Sequence, residues 1–166
     1  SLIQAEWDEI DLNKSLWTIP PEHQKLKKSQ PHNPFMVHLS PWVKELLEQL
    51  RKLSESRFLI PGRASTKEND FHAERTVFST VVRVNSEAIG IPKFNVHDFR
   101  STLATRLSEE GIAPHVVELL LGHQLGGVAG IYNKHQYLTE RMHALNLWSK
   151  KIMNLTSNSN VVAING

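Results

Sequence analysis

The chain has 166 residues, with 19 lysines and arginines against 17 aspartates and glutamates, so its net charge is only +2. It has no cysteine, which excludes a disulfide framework and a thiolate metal site and fits a reducing compartment. No apolar run approaches the eighteen or so residues of a membrane span, and the first residues lack the charged-then-apolar layout of a signal peptide.

That length suits one domain with a sizeable core. Residues 1–6 (SLIQAE) read as the end of a helix. Strand signals follow over Asp8 to Leu12, Leu16 to Ile19 and Phe35 to Leu39, where apolar and polar residues alternate. Asn13-Lys14 is a fair turn between the first two. A polar, proline-bounded stretch separates the second from the third. No Asp or Glu occurs from His23 to Lys44, while Lys25, Lys27 and Lys28 do. A small antiparallel sheet with an exposed basic loop is expected, and such a loop suits a polyanion.

Ser40-Pro41 reads as an N-cap and first-turn proline, with Val43, Leu46, Leu47, Leu50 and Leu53 as one apolar face. Phe58 to Gly62 is a short buried run ending in a turn, and Arg63 to Asp70 a polar loop. Phe71 to Ile89 is expected to be helical, with Val77, Val81, Val84 and Ala88 inward. Asn95 is placed to start the next helix, in which Phe99, Leu103 and Leu107 recur at helical spacing before Gly111. His97 and Arg100, three apart, share a face of that helix and can reach one small anion together. Pro114 suits the first turn of a second short helix, and Gly122 its left-handed exit, which would turn His123 back toward a neighbouring surface. The last amphipathic helix is expected over Leu138 to Ile152, with Thr139 as N-cap and Met142, Leu145, Trp148 and Ile152 inward. Residues 154–166 read as a polar tail.

His-Asp-Phe-Arg at 97–100, Leu-Leu-Leu-Gly-His ending at 123, and Tyr132 nine positions later form a set. In this order and spacing they resemble the tyrosine recombinases, the phage integrase family. The stretch after Tyr132 (YNKHQYLTERMHALNLWSKKI) is similar to integrases of prophages and genomic islands, and residues 5–40 to the family's first strands and lysine-bearing hairpin. The resemblance implies an α+β, mainly α fold: a helical catalytic core with a small three-stranded antiparallel sheet near the N-terminus. It implies a catalytic domain over 1–153 followed by the tail 154–166. It also puts a first catalytic arginine about nine residues before Trp7, just ahead of Ser1, so that these residues alone are expected to cleave DNA poorly.

The implied activity is site-specific recombination, cutting and rejoining double-stranded DNA through a 3′-phosphotyrosine. Tyr132 suits the nucleophile, because a phenol leaves more readily than an alkyl hydroxyl and keeps the linkage reversible. Arg100 suits charge neutralisation, its guanidinium fork matching two phosphate oxygens. His97 and His123 suit hydrogen bonding to the phosphate or moving the tyrosine proton. In the family the leaving oxygen is protonated by a hairpin lysine. Lys25 is the best match, with Lys27 and Lys28 close by as DNA contacts. No cofactor or metal is expected: the nine histidines include no H-E-x-x-H motif and no close His/Asp/Glu cluster. The resemblance further implies a homotetramer on DNA and a bacterial cytoplasmic protein, nucleoid-associated when bound. An inactive DNA-binding module of the same ancestry and a helical protein-interaction domain are the alternatives. Covalent DNA capture separates the first from recombination, and salt-dependent DNA binding separates the second from both.

Overall fold

The computed structural model describes residues 2–24, 33–123 and 137–158. Lys25, Lys27, Lys28 and Tyr132 lie outside the described residues. The architecture is α+β and mainly helical, with a three-stranded antiparallel sheet near the N-terminus. Strands β1 (Ile10–Asp11), β2 (Leu16–Ile19) and β3 (Phe35–His38) lie in that order. Trp17 of the central strand pairs with Ile10 on one side and Val37 on the other. The first strand is shorter than the pattern over 8–12 suggests. Trp7–Glu9 is a 3-10 turn, and the Lys14 amide donates to Asp11 Oδ1 at 2.8 Å, so the chain turns early. Leu2–Gln4 is likewise a single 3-10 turn.

The helices are α1 (Pro41–Arg51), α2 (Val77–Ala88), α3 (Val96–Glu109), α4 (Pro114–Leu120) and α5 (Leu138–Asn158). Ser40 caps α1 as expected, its hydroxyl accepting from the Val43 amide at 3.4 Å. Leu46 and Leu53 are exposed, so the inward stripe of α1 narrows to Val43, Leu47 and Leu50, each half-buried. The run at 58–62 is paired on both sides, with Phe58 and Leu59 buried and Ile60 to Gly62 half-buried. The Leu59 amide donates to the Ala5 carbonyl at 3.0 Å, and the Ala73 amide to the Ile60 carbonyl at 2.8 Å.

Helices α2 and α5 also differ from the pattern reading. Residues 71–76 are not helical, and α2 turns Val81 and Val84 to solvent while Phe78, Val82 and Ser86 face inward. Apolar residues occupy both sides of this helix, so periodicity alone does not select the buried stripe. The last helix begins at Leu138, with Thr139 inside it, and runs on to Asn158. Its buried residues are Arg141, Ala144 and Ser149; Leu145, Trp148 and Ile152 are half-buried, and Met142 is exposed.

The helical core is centred on Leu107, Val117 and Ala144, against which Leu103, Ile112, Leu120, Leu121 and Trp148 pack. Burying a leucine the size of Leu107 contributes about 1.5–3 kcal/mol. This cluster ties α3, α4 and α5 together and so fixes the helices that carry the candidate site. Arg141 joins them to the sheet. Its guanidinium donates to the Met36 carbonyl and lies 4.6 Å from the centre of the Phe35 ring. Burial lowers its pKa from the usual arginine value. The Ser40 and Ser149 hydroxyls, 2.7 Å apart, add a second link between the start of α1 and α5.

Candidate active site

Local sequence explains how α3 presents His97 and Arg100. The Asn95 side chain accepts from the His97 amide at 2.8 Å, and Asp98 accepts from the Asn95 amide at 2.7 Å, a reciprocal cap. The cap starts the helix at Val96, so His97 lies exposed in the first turn and Arg100, half-buried, one turn on. Phe99 does not join the core: it is 57% exposed and packs edge-on against Phe94, with ring centres 5.4 Å apart. The helix ends as read, at Gly111 with φ +77°, where the Ile112 amide reaches back to the Leu107 carbonyl at 3.1 Å.

The α4 exit follows the same rule. Gly122 has φ +71°, and the His123 amide donates to the Glu118 carbonyl at 3.0 Å. This turn folds His123 back over the end of α4. There it meets Arg100, 23 residues earlier in the chain, with Arg100 Nη2 2.9 Å from His123 Nε2. The same Nη2 donates to the Leu121 carbonyl at 2.5 Å. The other ring nitrogen, Nδ1, lies 2.5 Å from Glu118 Oε2.

These contacts determine the proton positions. A guanidinium only donates, so His123 Nε2 accepts, and Nδ1–H donates to the Glu118 carboxylate. Both hydrogens of Nη2 are then engaged, one by Leu121 and one by His123. Among the described residues Nε and Nη1 of Arg100 meet no further acceptor, and such N–H groups of a guanidinium are the kind that bind an anion.

The geometry therefore joins Arg100 and His123 and keeps His97 one helical turn away on α3. Lys25, Lys27, Lys28 and Tyr132 fall outside the described residues. The other tyrosine, Tyr137, sits elsewhere: its ring centre is 4.7 Å from that of His115, in the first turn of α4. His123 follows the opposite end of that seven-residue helix, roughly 10 Å away at 1.5 Å per residue. Glu118 was not singled out by sequence reasoning. Its signal is the spacing of five residues before a histidine that leaves a helix through a glycine, which lets a carboxylate reach across the exit. Among the described residues no group of three or more His, Cys, Asp or Glu side chains could hold a metal, and no helix is long and apolar enough to cross a membrane.

Comparison with known proteins places this arrangement. The sequence model of the phage integrase family matches residues 1–139. The chain is 32% identical over 161 residues to prophage integrase IntA of Escherichia coli (strain K12), covering 96% of this chain and 36% of that protein. It is 27% identical over 154 residues to the integrase of Shigella phage Sf6, covering 89% of this chain and 36% of that protein. A solved structure, the integrase from mycobacterium phage Brujita, shares the fold with a TM-score of 0.61 at 18% identity, over 87% of this chain and 44% of that one. The chain thus spans about a third of the length of the curated relatives it matches. With its family model covering most of the sequence, and with Arg100 and His123 brought together from separate helices, the chain belongs to the phage integrase family.

Proposed function

We propose that residues 1–153 are the catalytic domain of a site-specific DNA recombinase of a mobile element, acting on double-stranded DNA in the bacterial cytoplasm as a homotetramer. In this reading Tyr132 attacks a backbone phosphorus. The Tyr132 oxygen–phosphorus bond forms, the bond from phosphorus to the 5′ oxygen breaks, and the product is a 3′-phosphotyrosine with a free 5′-hydroxyl. His97 or His123 takes the phenol proton, and the ammonium of Lys25 gives a proton to the leaving oxygen. Arg100 holds the charge on the non-bridging oxygens, where a pre-positioned cation lowers the barrier most. Lys27 and Lys28 contact the DNA backbone. The later attack of a partner strand's 5′-hydroxyl on the phosphotyrosine restores the tyrosine and joins the new strand.

The observation that carries this reading is the Arg100–His123 contact, braced by the Leu121 carbonyl and the Glu118 carboxylate. It offers a fixed cation beside an imidazole on the surface, as phosphoryl transfer without a metal requires. The position of Tyr137, held against His115 at the far end of α4, favours Tyr132 as the nucleophile. The test is a nicked suicide duplex bearing the element's own attachment sequence, incubated with the intact protein. A covalent protein–DNA adduct resistant to denaturation is expected. Tight, salt-sensitive binding with no adduct would instead make the chain a DNA-binding module that has lost its chemistry.

A further inference from the structure

The start of α3 is fixed twice over. Asn95 and Asp98 cap each other, and next to them the rings of Phe94 and Phe99 meet edge-on with centres 5.4 Å apart. Phe94 precedes the cap and Phe99 is the fourth helical residue. These are the two positions of a hydrophobic staple, which sets the angle at which a chain enters its helix. Phe99 otherwise borders an open cleft of about 930 Å³, shared with Phe78 and Val82 of α2. Its ring therefore serves the entry to the helix rather than the core.

Lys93 is the residue that this staple aims. It precedes Phe94 directly, so cap and staple together fix its backbone relative to His97, four residues on and at most about 14 Å away along the chain. The lysine is exposed and makes no hydrogen bond or ion pair among the described residues. No Asp or Glu lies between Glu87 and Asp98. Glu87 is paired with Arg83 at 3.4 Å, and Asp98 accepts from the Asn95 amide at 2.7 Å. Lys93, His97 and Arg100 thus follow one another along an edge whose nearest acids in sequence are already engaged. The charge does not serve α3 either, because a cation just ahead of a helix opposes the helix dipole. A compact ammonium on a flexible stem suits a phosphate.

We infer that Lys93 is a positioning residue: it holds a backbone phosphate of the DNA near the one at Arg100 and so sets the duplex against the start of α3. The inference rests on the reading of this chain as a recombinase domain. Successive phosphates of one strand are about 3.4 Å apart along the duplex axis. With the reach of a lysine side chain added to the 93–97 span, the contacted phosphate lies within roughly six nucleotides of the cut. Such a contact fixes register and carries no sequence information.

The experiment titrates the intact protein, as wild type, Lys93→Ala and Lys93→Arg, with fluorescent duplexes bearing the element's attachment sequence. In one series the salt concentration varies. In the other, each phosphate within that range of the cut is replaced singly by an uncharged methylphosphonate. Lys93→Ala is expected to lower the slope of log affinity against log salt by about 1, and Lys93→Arg to leave it in place. At one position the methylphosphonate should weaken binding by wild type and Lys93→Arg several-fold, while Lys93→Ala is indifferent to it. Indifference at a single phosphate marks a contact, because a damaged fold weakens binding to every duplex of the series alike. An unchanged salt slope, or a methylphosphonate profile for Lys93→Ala that matches wild type at every position, would overturn the inference alone. If wild type itself binds DNA without salt dependence, the recombinase reading fails and the inference falls with it.

Discussion

Glu118 and His123 are joined across the exit of α4, carboxylate oxygen to Nδ1 at 2.5 Å, and this bond orients the imidazole face that meets Arg100. With Nδ1–H committed to the carboxylate, Nε2 carries the lone pair. It accepts a hydrogen bond from Arg100, and in the proposed mechanism it is the atom that would take the proton of the Tyr132 phenol. The carboxylate also steadies the imidazolium that such a transfer would form. A buried acid plays the same part beside the histidine of hydrolytic triads, where it keeps one tautomer in place.

Glu118→Ala is therefore expected to lower the rate of covalent capture about tenfold or more, with DNA affinity nearly unchanged. Glu118→Gln, whose amide oxygen accepts the same bond, should lose much less. Nitrogen NMR of the His123 ring checks the cause. The Nδ1–H tautomer should dominate in wild type and in Glu118→Gln, and give way to a mixture in Glu118→Ala.

Arg100→Lys keeps the charge and removes the fork. One terminal nitrogen of Arg100 serves both Leu121 and His123 while the others remain for an anion, and a single ammonium cannot reproduce that spread. The expected loss in single-turnover cleavage is about 10²–10³, or roughly 3–4 kcal/mol of barrier. Binding measured in parallel should change little, because the backbone contacts proposed for Lys27 and Lys28 are untouched.

The loop after the run at 58–62 is held by Asp70. Its carboxylate accepts from the Ser65 hydroxyl at 2.6 Å, the Arg57 amide at 2.8 Å and the Ser56 hydroxyl at 2.7 Å. These bonds, the Ser65 hydroxyl first, lower its pKa from the ordinary value of 3.8. A carboxylate with a depressed folded pKa contributes stability above its unfolded pKa and loses it as pH falls through the folded one. Asp70→Asn should thus melt a few degrees lower than wild type at neutral pH, and the gap should close as pH drops below about 3.8. Thermal melts across that range check the sign.

Much of the site's frame is legible in the residues themselves. Asn95 before the helix, and glycines at 111 and 122 where φ must be positive, mark where α3 and α4 start and stop. Because those ends are set locally, the meeting of Arg100 and His123 follows from two short motifs. Other features depend on packing that no local pattern records. Helix α2 is apolar on both sides, and only contact with the rest of the domain decides that Phe78 and Val82 turn in while Val81 and Val84 turn out. Phe99 has the spacing of a core residue yet borders the cleft. Glu9 and Glu118 look like ordinary solvated acids until the fold brings an indole and two imidazoles to them.

The proposed DNA contacts of Lys27 and Lys28 make a separate, equilibrium prediction. Each lysine that neutralises a phosphate adds about 0.9 to the slope of log affinity against log salt. Lys27→Ala and Lys28→Ala should each reduce that slope by about 1 and weaken binding to all sequences alike. Fluorescence titrations at several salt concentrations measure it. A slope unchanged in both variants would place the basic segment away from the DNA.

The chemistry itself is tested most directly by finding the bond it makes. The intact protein is trapped on a suicide duplex, digested with trypsin and nuclease, and the modified peptide sequenced by mass spectrometry. The account predicts a 3′-linked nucleotide on the phenol oxygen of Tyr132, and no adduct from Tyr132→Phe at undiminished DNA affinity. A nucleotide on Tyr137, or equal capture by Tyr132→Phe, would contradict it.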